Sequence, residues 1–323
     1  MNPMSGLNGK PTCSLTSTRD PLAPFNNGVN NLLRGVISKS HSRSASSVKT
    51  ILFSAAFAGL VAIAVTLAIE RWGGVVGGIL GTLPTTIVPA AIGMYQAGGQ
   101  ENLLTSLSMV PFGMLLNSLF VGLWVFYPQF RKGVSLPEMT VVSLAIWTIL
   151  AVFLSFTLDF AFAEFSRISL AMLGMLLLLS LGVWMTWKPA NAPKGSKEVS
   201  GGVILSRGIG AAIAIGLAVY LSELGLPLVA GLASVFPAIF LTTMVGLWIS
   251  QGPEVPTGAA GPMMLGGSSV GAYALVAMWA LHEYGMLLGS IISWLIAVMI
   301  TSLPAFFWLR YRVSSISIEE VID

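Results

Sequence analysis

The apolar residues of this chain fall into blocks of about 20 separated by short polar breaks, and that spacing leaves few folds open. Twenty residues at 1.5 Å per helical residue cover about 30 Å, the thickness of bilayer hydrocarbon. Lipid gives an unpaired backbone group no partner, so such blocks form helices unless they close into a barrel. A barrel requires segments of roughly ten residues with alternating hydrophobicity, and these blocks do not alternate. Composition agrees: 55% of the 323 residues are hydrophobic and 9% charged, whereas about a quarter are charged in an ordinary soluble domain. The expectation is an integral, multi-pass, all-α membrane protein with the lipid bilayer as its principal partner.

Nine spans are expected, at roughly 50–70, 75–96, 107–127, 140–163, 168–187, 202–222, 227–250, 257–281 and 284–309. Between the fourth and fifth, only Glu164, Ser166 and Arg167 interrupt the apolar run. Two helices fit better there, because about 48 residues of single helix exceed any bilayer. The break at 188–200, with Pro189, Pro193, Lys194, Gly195, Lys197 and Glu198, is the longest polar connection after the N-terminal tail. That tail, residues 1–49, sets Lys10, Arg19, Arg34, Lys39, Arg43 and Lys49 against Asp20 and carries a serine cluster over 38–47. It is too polar to bury a core. A disordered tail and an organellar transit peptide, which is also basic, serine-rich and acid-poor, are even readings.

The two halves resemble one another. Glu70 and Glu223, Gly78 and Gly231, Pro84 and Pro237, Gly93 and Gly246, Gly99 and Gly252, and Glu101 and Glu254 are each 153 residues apart. The offset then shrinks slightly, pairing Pro111 with Pro262, Ser143 with Ser290 and Trp147 with Trp294. Spans one to four (50–163) thus correspond to spans six to nine (201–310). The fifth span and its polar loop (164–200) have no counterpart, and 311–323 is a short tail. Four crossings return a chain to its starting side and a fifth carries it across, so the layout reads as two inverted four-helix repeats joined by a linker helix (4+1+4). Charge agrees, since cytoplasmic connections carry the excess of Lys and Arg. Arg71, Arg131, Lys132, Lys188, Lys194, Lys197, Arg207, Arg310 and Arg312 flank one face and Arg167 the other. This points to an inner C-terminus and an outer N-terminus, which the basic tail contradicts unless it is cleaved or translocated.

The run Val229-Ala-Gly-Leu-Ala-Ser-Val-Phe-Pro237, preceded by 210–222 and followed by a span opening near Met263, resembles the GlpM-type small bacterial membrane proteins, which are single four-helix units. Gly77-Gly-Ile-Leu-Gly-Thr-Leu-Pro84 carries the same pattern less closely. Taken as a tandem, the resemblance covers about two thirds of the chain. It implies a unit that once paired with an inverted copy of itself, and permits a non-transporting scaffold or assembly factor.

In transporters with inverted repeats, the solute site lies where Gly or Pro breaks matching spans of the two halves. Here those are spans two and seven. Thr82, Pro84 and Thr85 are candidate substrate-binding residues in the first, and Ser234, Pro237 and Thr242 in the second. Each proline should free the carbonyl four residues earlier, Leu80 and Ala233. Simple kinking of packed helices is the competing explanation. Asn117, aligned with Ser268 and Ser269 of span eight, completes the candidate set: a mid-span amide needs partners and should face the bundle interior. Asp159 and Arg207, the only ionisable residues set within spans, are read as reaching the interface. Trp147 and Trp294 are read as packing residues.

Cys13 in the tail, His41 and His282 leave no material for a thiolate or histidine metal centre. No phosphate-cradling glycine loop and no His-Glu-x-x-His occurs, so neither metal, cofactor, ATP-driven pumping nor nucleic-acid binding is expected. A lipid-modifying enzyme would need clustered His, Asp or Glu, and a channel a ring of charges or carbonyls. The best-supported expectation is a non-enzymatic secondary transporter or facilitator for an unidentified small solute. Oligomeric state and the identity of the membrane are not encoded in any recognisable motif.

Overall fold

Long apolar runs favour helix, because only a helix satisfies the backbone within one segment, and the fold is assembled from such runs even where Gly and Pro fall inside them. The computed structural model describes residues 45–72, 83–187, 200–252 and 255–322, all within one compact unit, Ser42–Asp323. Among them there are helices and no strands. In chain order these are α1 (Ala45–Trp72), α2 (Ile87–Phe130), α3 (Leu136–Glu164), α4 (Arg167–Trp187), α5 (Gly201–Glu223), α6 (Pro227–Ser234), α7 (Ala238–Gln251), α8 (Val255–Gly266), α9 (Ser268–Ala297) and α10 (Leu303–Ile322), with a π-helical turn Val298–Ser302 joining the last two. That turn sits where Pro304 removes a helical donor. Helix α1 starts five residues before the expected Thr50, while residues 1–44 of the tail and the 188–199 loop lie outside the described residues.

Among the described residues, seven stretches are long and apolar enough to cross a membrane: Val48–Ala68, Ile87–Phe130, Leu136–Glu164, Arg167–Trp187, Gly201–Glu223, Pro227–Ile249 and Gly258–Arg312. Helices α3 and α4 are separate, the chain turning between Glu164 and Arg167. Two stretches, of 44 and 55 residues, would be about 66 and 83 Å long if straight, twice the hydrocarbon thickness or more. They are not straight. Gly285, at φ 74° and ψ 176°, interrupts α9. A methyl on Gly289 would lie 2.4 Å from the Ala280 carbonyl, although nine residues of straight helix would separate the two by about 13 Å. The chain therefore doubles back there. Gly99, at φ 77° and ψ −177°, has the same dihedrals and divides α2 in the same way. Such positive φ values are open to glycine at little steric cost.

The exterior is as apolar as the interior, as a bilayer demands. Helix α3 buries only the stripe Met139, Ser143, Trp147, Ala151 and Leu158, while Val141, Ile149, Phe153 and Phe160 are exposed. Inside, contacts form through small residues that let backbones approach. Helices α1 and α5 pack antiparallel: a methyl on Gly59 would lie 2.9 Å from the Gly208 carbonyl and 3.3 Å from Ala212 Cβ. Gly231 of α6 leaves no room beside the Ser106 carbonyl of α2. Helix α4 lies against both α2 and α8, Gly174 facing Phe112 and Gly182 facing Leu265.

Candidate functional site

Between Ser234 and Ala238 the chain leaves the helix, because Pro237 has no N–H to continue it. The Val235 and Phe236 N–H groups fold back to the Leu232 and Ala233 carbonyls at 3.2 and 3.1 Å, and the Pro237 carbonyl starts α7 by accepting from Leu241 N at 2.7 Å. The Ala233 carbonyl is thus taken up by the turn. This corrects the expectation from the proline rule, which holds when the helix continues past the proline and fails when it ends. The carbonyl presented to the bundle is that of Val235, and Asn117 Nδ2 donates to it at 2.7 Å. Trp147 Nε1 donates in turn to Asn117 Oδ1 at 2.8 Å. The Trp147 ring stands edge-on to Phe236, centroids 5.2 Å apart. Asn117 therefore ties the broken helix to α2 and α3, and its amide has partners on both sides.

The matching break precedes α2. Residues 83–86 are non-helical, with Thr85 N bonded to the Leu83 carbonyl at 2.9 Å and Thr86 as the N-cap of α2. Leu80 lies outside the described residues.

The two breaks border one cavity of about 400 Å³, within the usual range for small-molecule sites. Its walls come from α1, the 83–86 break, the α2 residues Met114 and Asn117, Arg207 of α5, the 234–236 break, the first turns of α7, and the α8–α9 junction. Of the expected residues, Thr85, Asn117, Ser234 and Ser269 line it. Pro84 and Pro237 are buried beside it and form the breaks without lining it. Ser268 is buried with its hydroxyl on the Leu265 carbonyl, and Thr242 bonds to the Ala238 carbonyl; neither lines the cavity. Thr82 lies outside the described residues.

Arg207 is the principal residue that sequence reasoning misassigned. Its side chain turns to the cavity instead of snorkelling outward, and Nη2 donates to Thr243 Oγ1 at 2.9 Å. Thr243 Oγ1 donates onward to the Ile239 carbonyl at 2.7 Å, which anchors the guanidinium to the first turn of α7. Thr66 and Thr86 also line the cavity, as do Phe236 and Phe240. A signal for Arg207 was its depth within span six, where charge is costly and usually faces the bundle interior. Asp159 sits exposed on α3. Among the described residues no carboxylate lines the cavity, and no group of three His, Cys, Asp or Glu could hold a metal.

A second cavity of about 40 Å³ lies at the glycine reversals, where Gln100 Nε2 and His282 Nδ1 are 2.6 Å apart. Its size suits a water molecule or two. Comparisons with protein-family models, with curated proteins and with solved structures find no match to this chain.

Proposed function

We propose that the chain is a secondary transporter or facilitator that moves a small solute by alternating access of two inverted repeats. The observation that carries this is the cavity between the helix breaks. Three pairs of its lining residues, Leu83 and Phe236, Thr86 and Ile239, and Ile87 and Phe240, are repeat mates 153 positions apart. A site walled by corresponding residues of both halves can be opened to either side as one half rocks against the other.

Further features support the 4+1+4 layout. Gly99 and Gly252, mates at 153, have φ of 77° and 96°. Gly59 lies against Ala212, its own mate, as residues on a two-fold axis do. Dividing the two overlong stretches at Gly99 and Gly285 gives nine crossings when the 75–96 span is included. Nine alternating crossings bring residues near 100, 167, 222 and 282 to one face and those near 187 and 310 to the other. Side-chain contacts respect that assignment. Arg167 pairs with Glu101 at 3.0 Å and Gln100 with His282 at 2.6 Å, while Trp308 Nε1 donates to Thr186 Oγ1 at 3.0 Å and Arg312 donates to the Trp187 carbonyl.

The decisive experiment is reconstitution of the purified chain in liposomes, with uptake measured for neutral, cationic and anionic small solutes. Uptake above protein-free vesicles, abolished by a bulky Ser234→Trp substitution in the cavity wall, is the expected result. No flux of any class would instead favour the scaffold role that the GlpM resemblance permits.

A further inference from the structure

We infer that the structure is one of two end states of this transporter, with the cavity on the side of residues near 187 and 310, and that Gly93 and Gly246 are the mated positions on which the two states close. The inference rests on the transport proposal and on its repeat assignment. Inverted copies of one unit enclose a site symmetrically only if corresponding residues meet corresponding surroundings. Here they do not. On α1, Ala62, Val65 and Thr66 line the cavity, while their mates 153 residues on, Ile215, Ala218 and Val219 of α5, are packed in the core. Arg207 and Thr243 line it as well, and their mates 153 residues earlier, Ser54 and Ala90, are buried away from it. A crevice beside α1 and α7 is thus open where the equivalent one beside α5 and α2 is shut.

The shut crevice closes on Gly93. A methyl there would lie 2.4 Å from Ser54 Oγ and 2.5 Å from a Val219 methyl. Toward the end of the same segment a methyl on Gly98 would lie 2.5 Å from Ser222 Oγ, and that hydroxyl donates to the Met94 carbonyl at 3.1 Å. In the nine-crossing scheme this seam lies toward the face of residues near 100 and 222. At Gly246, the mate of Gly93, a methyl would meet Val203 at 3.5 Å, an ordinary contact. The cavity lies on that second side: Thr66 is six residues from the end of α1 at Trp72, and Arg207 six from the start of α5 at Gly201, about 9 Å in each case.

Packed interfaces switch between discrete arrangements and do not deform continuously. The second state follows if the two halves exchange surroundings. Gly246 then takes the tight place between α5 and α1 that Gly93 now holds between the same helices nearer the other face, and Gly93 gains the room now beside Gly246. Each glycine is the close contact of one state and a loose one in the other, which gives both positions a reason to lack a side chain.

The test reads side-specific labelling of a cavity cysteine by a small membrane-impermeant methanethiosulfonate. It uses proteoliposomes of the full-length chain lacking Cys13, with Lys132→Cys and Ser166→Cys in separate samples marking the two faces. Thr86→Cys, in the cavity wall, should react at least fivefold faster from the Lys132 side. Adding Gly93→Ala, which obstructs the present seam, should raise its reaction from the Ser166 side at least fivefold. Adding Gly246→Ala, which fits the present state and obstructs the other, should lower reaction from the Ser166 side by a similar factor. If Gly93→Ala does not fold, the Gly246→Ala arm decides alone. Reaction of Thr86→Cys equally from both faces, faster from the Ser166 side or from neither, or a ratio that neither glycine substitution moves, would overturn the two-state assignment; flux of any solute in the liposome screen would leave transport standing. Opposite shifts from the two substitutions without flux of any solute class would support the seam and sink the transport proposal.

Discussion

At the scale of single residues, Asn117 is where sequence and structure agree most closely. A lone amide in an apolar span had to find partners, and it found two at 2.7 and 2.8 Å. Asn117→Leu would strip the Val235 carbonyl and the Trp147 N–H of their bonds together. Each interhelical bond in a membrane contributes about 0.5–2 kcal/mol, so the variant should unfold at a lower temperature in detergent, by circular dichroism. Glycine packing gives a sharper contrast. A methyl at Gly231 would lie 2.2 Å from the Ser106 carbonyl, whereas one at Gly201 meets nothing within 4 Å. Gly231→Ala should therefore cost about 1–3 kcal/mol through overpacking, and Gly201→Ala should leave the melting temperature unchanged or slightly raised. Arg207 was legible only as a position. Hydropathy reports that a charge lies in a span, but the side of the helix on which it emerges depends on how α1, α5 and α7 pack.

At the scale of elements, two prolines act at the edges of helices. Pro84 and Pro237 stay out of the cavity wall and still shape it: Pro237 separates α6 from α7 at the cavity edge, and Pro84 lies in the non-helical stretch from which α2 begins. Pro237→Ala restores an N–H and should let α6 and α7 merge, withdrawing the Val235 carbonyl from Asn117. Folding should survive while uptake in proteoliposomes falls more than tenfold, and Pro84→Ala should act in the same direction. Retained uptake in both variants would mean that the breaks are mere kinks. Their positions could be read from the sequence, since proline acts locally. The partner of the exposed carbonyl could not, because it lies 118 residues away in the chain. Of the two glycine interruptions, Gly285 falls within a few residues of an expected span boundary, while Gly99 lies before the expected start of the third span.

At the scale of the whole molecule, the alternation of crossings is open to direct test. In a chain lacking Cys13, single cysteines at Ser166 and Glu283 should react with an impermeant maleimide from one side of sealed vesicles. Those at Lys132 and Arg310 should react only after permeabilisation, or the reverse if the vesicles are inverted. Labelling of Ser166 and Lys132 from the same side would sink the nine-crossing scheme. The matched spacing of glycines and prolines can be read from the sequence, because each acts on its own backbone. The cavity cannot, because its walls come from at least six elements whose side chains share no local pattern.

The position of Arg207 carries one more consequence. Its mate 153 residues earlier is Ser54, a small buried side chain packed against Gly93. A homodimer of identical units would have to supply the guanidinium twice, setting two like charges around a single cavity of about 400 Å³. Covalent fusion of the halves removes that obligation. One copy is then free to acquire a charge while the other keeps a neutral residue, so two halves of a single chain can differ at the cavity without differing where they pack.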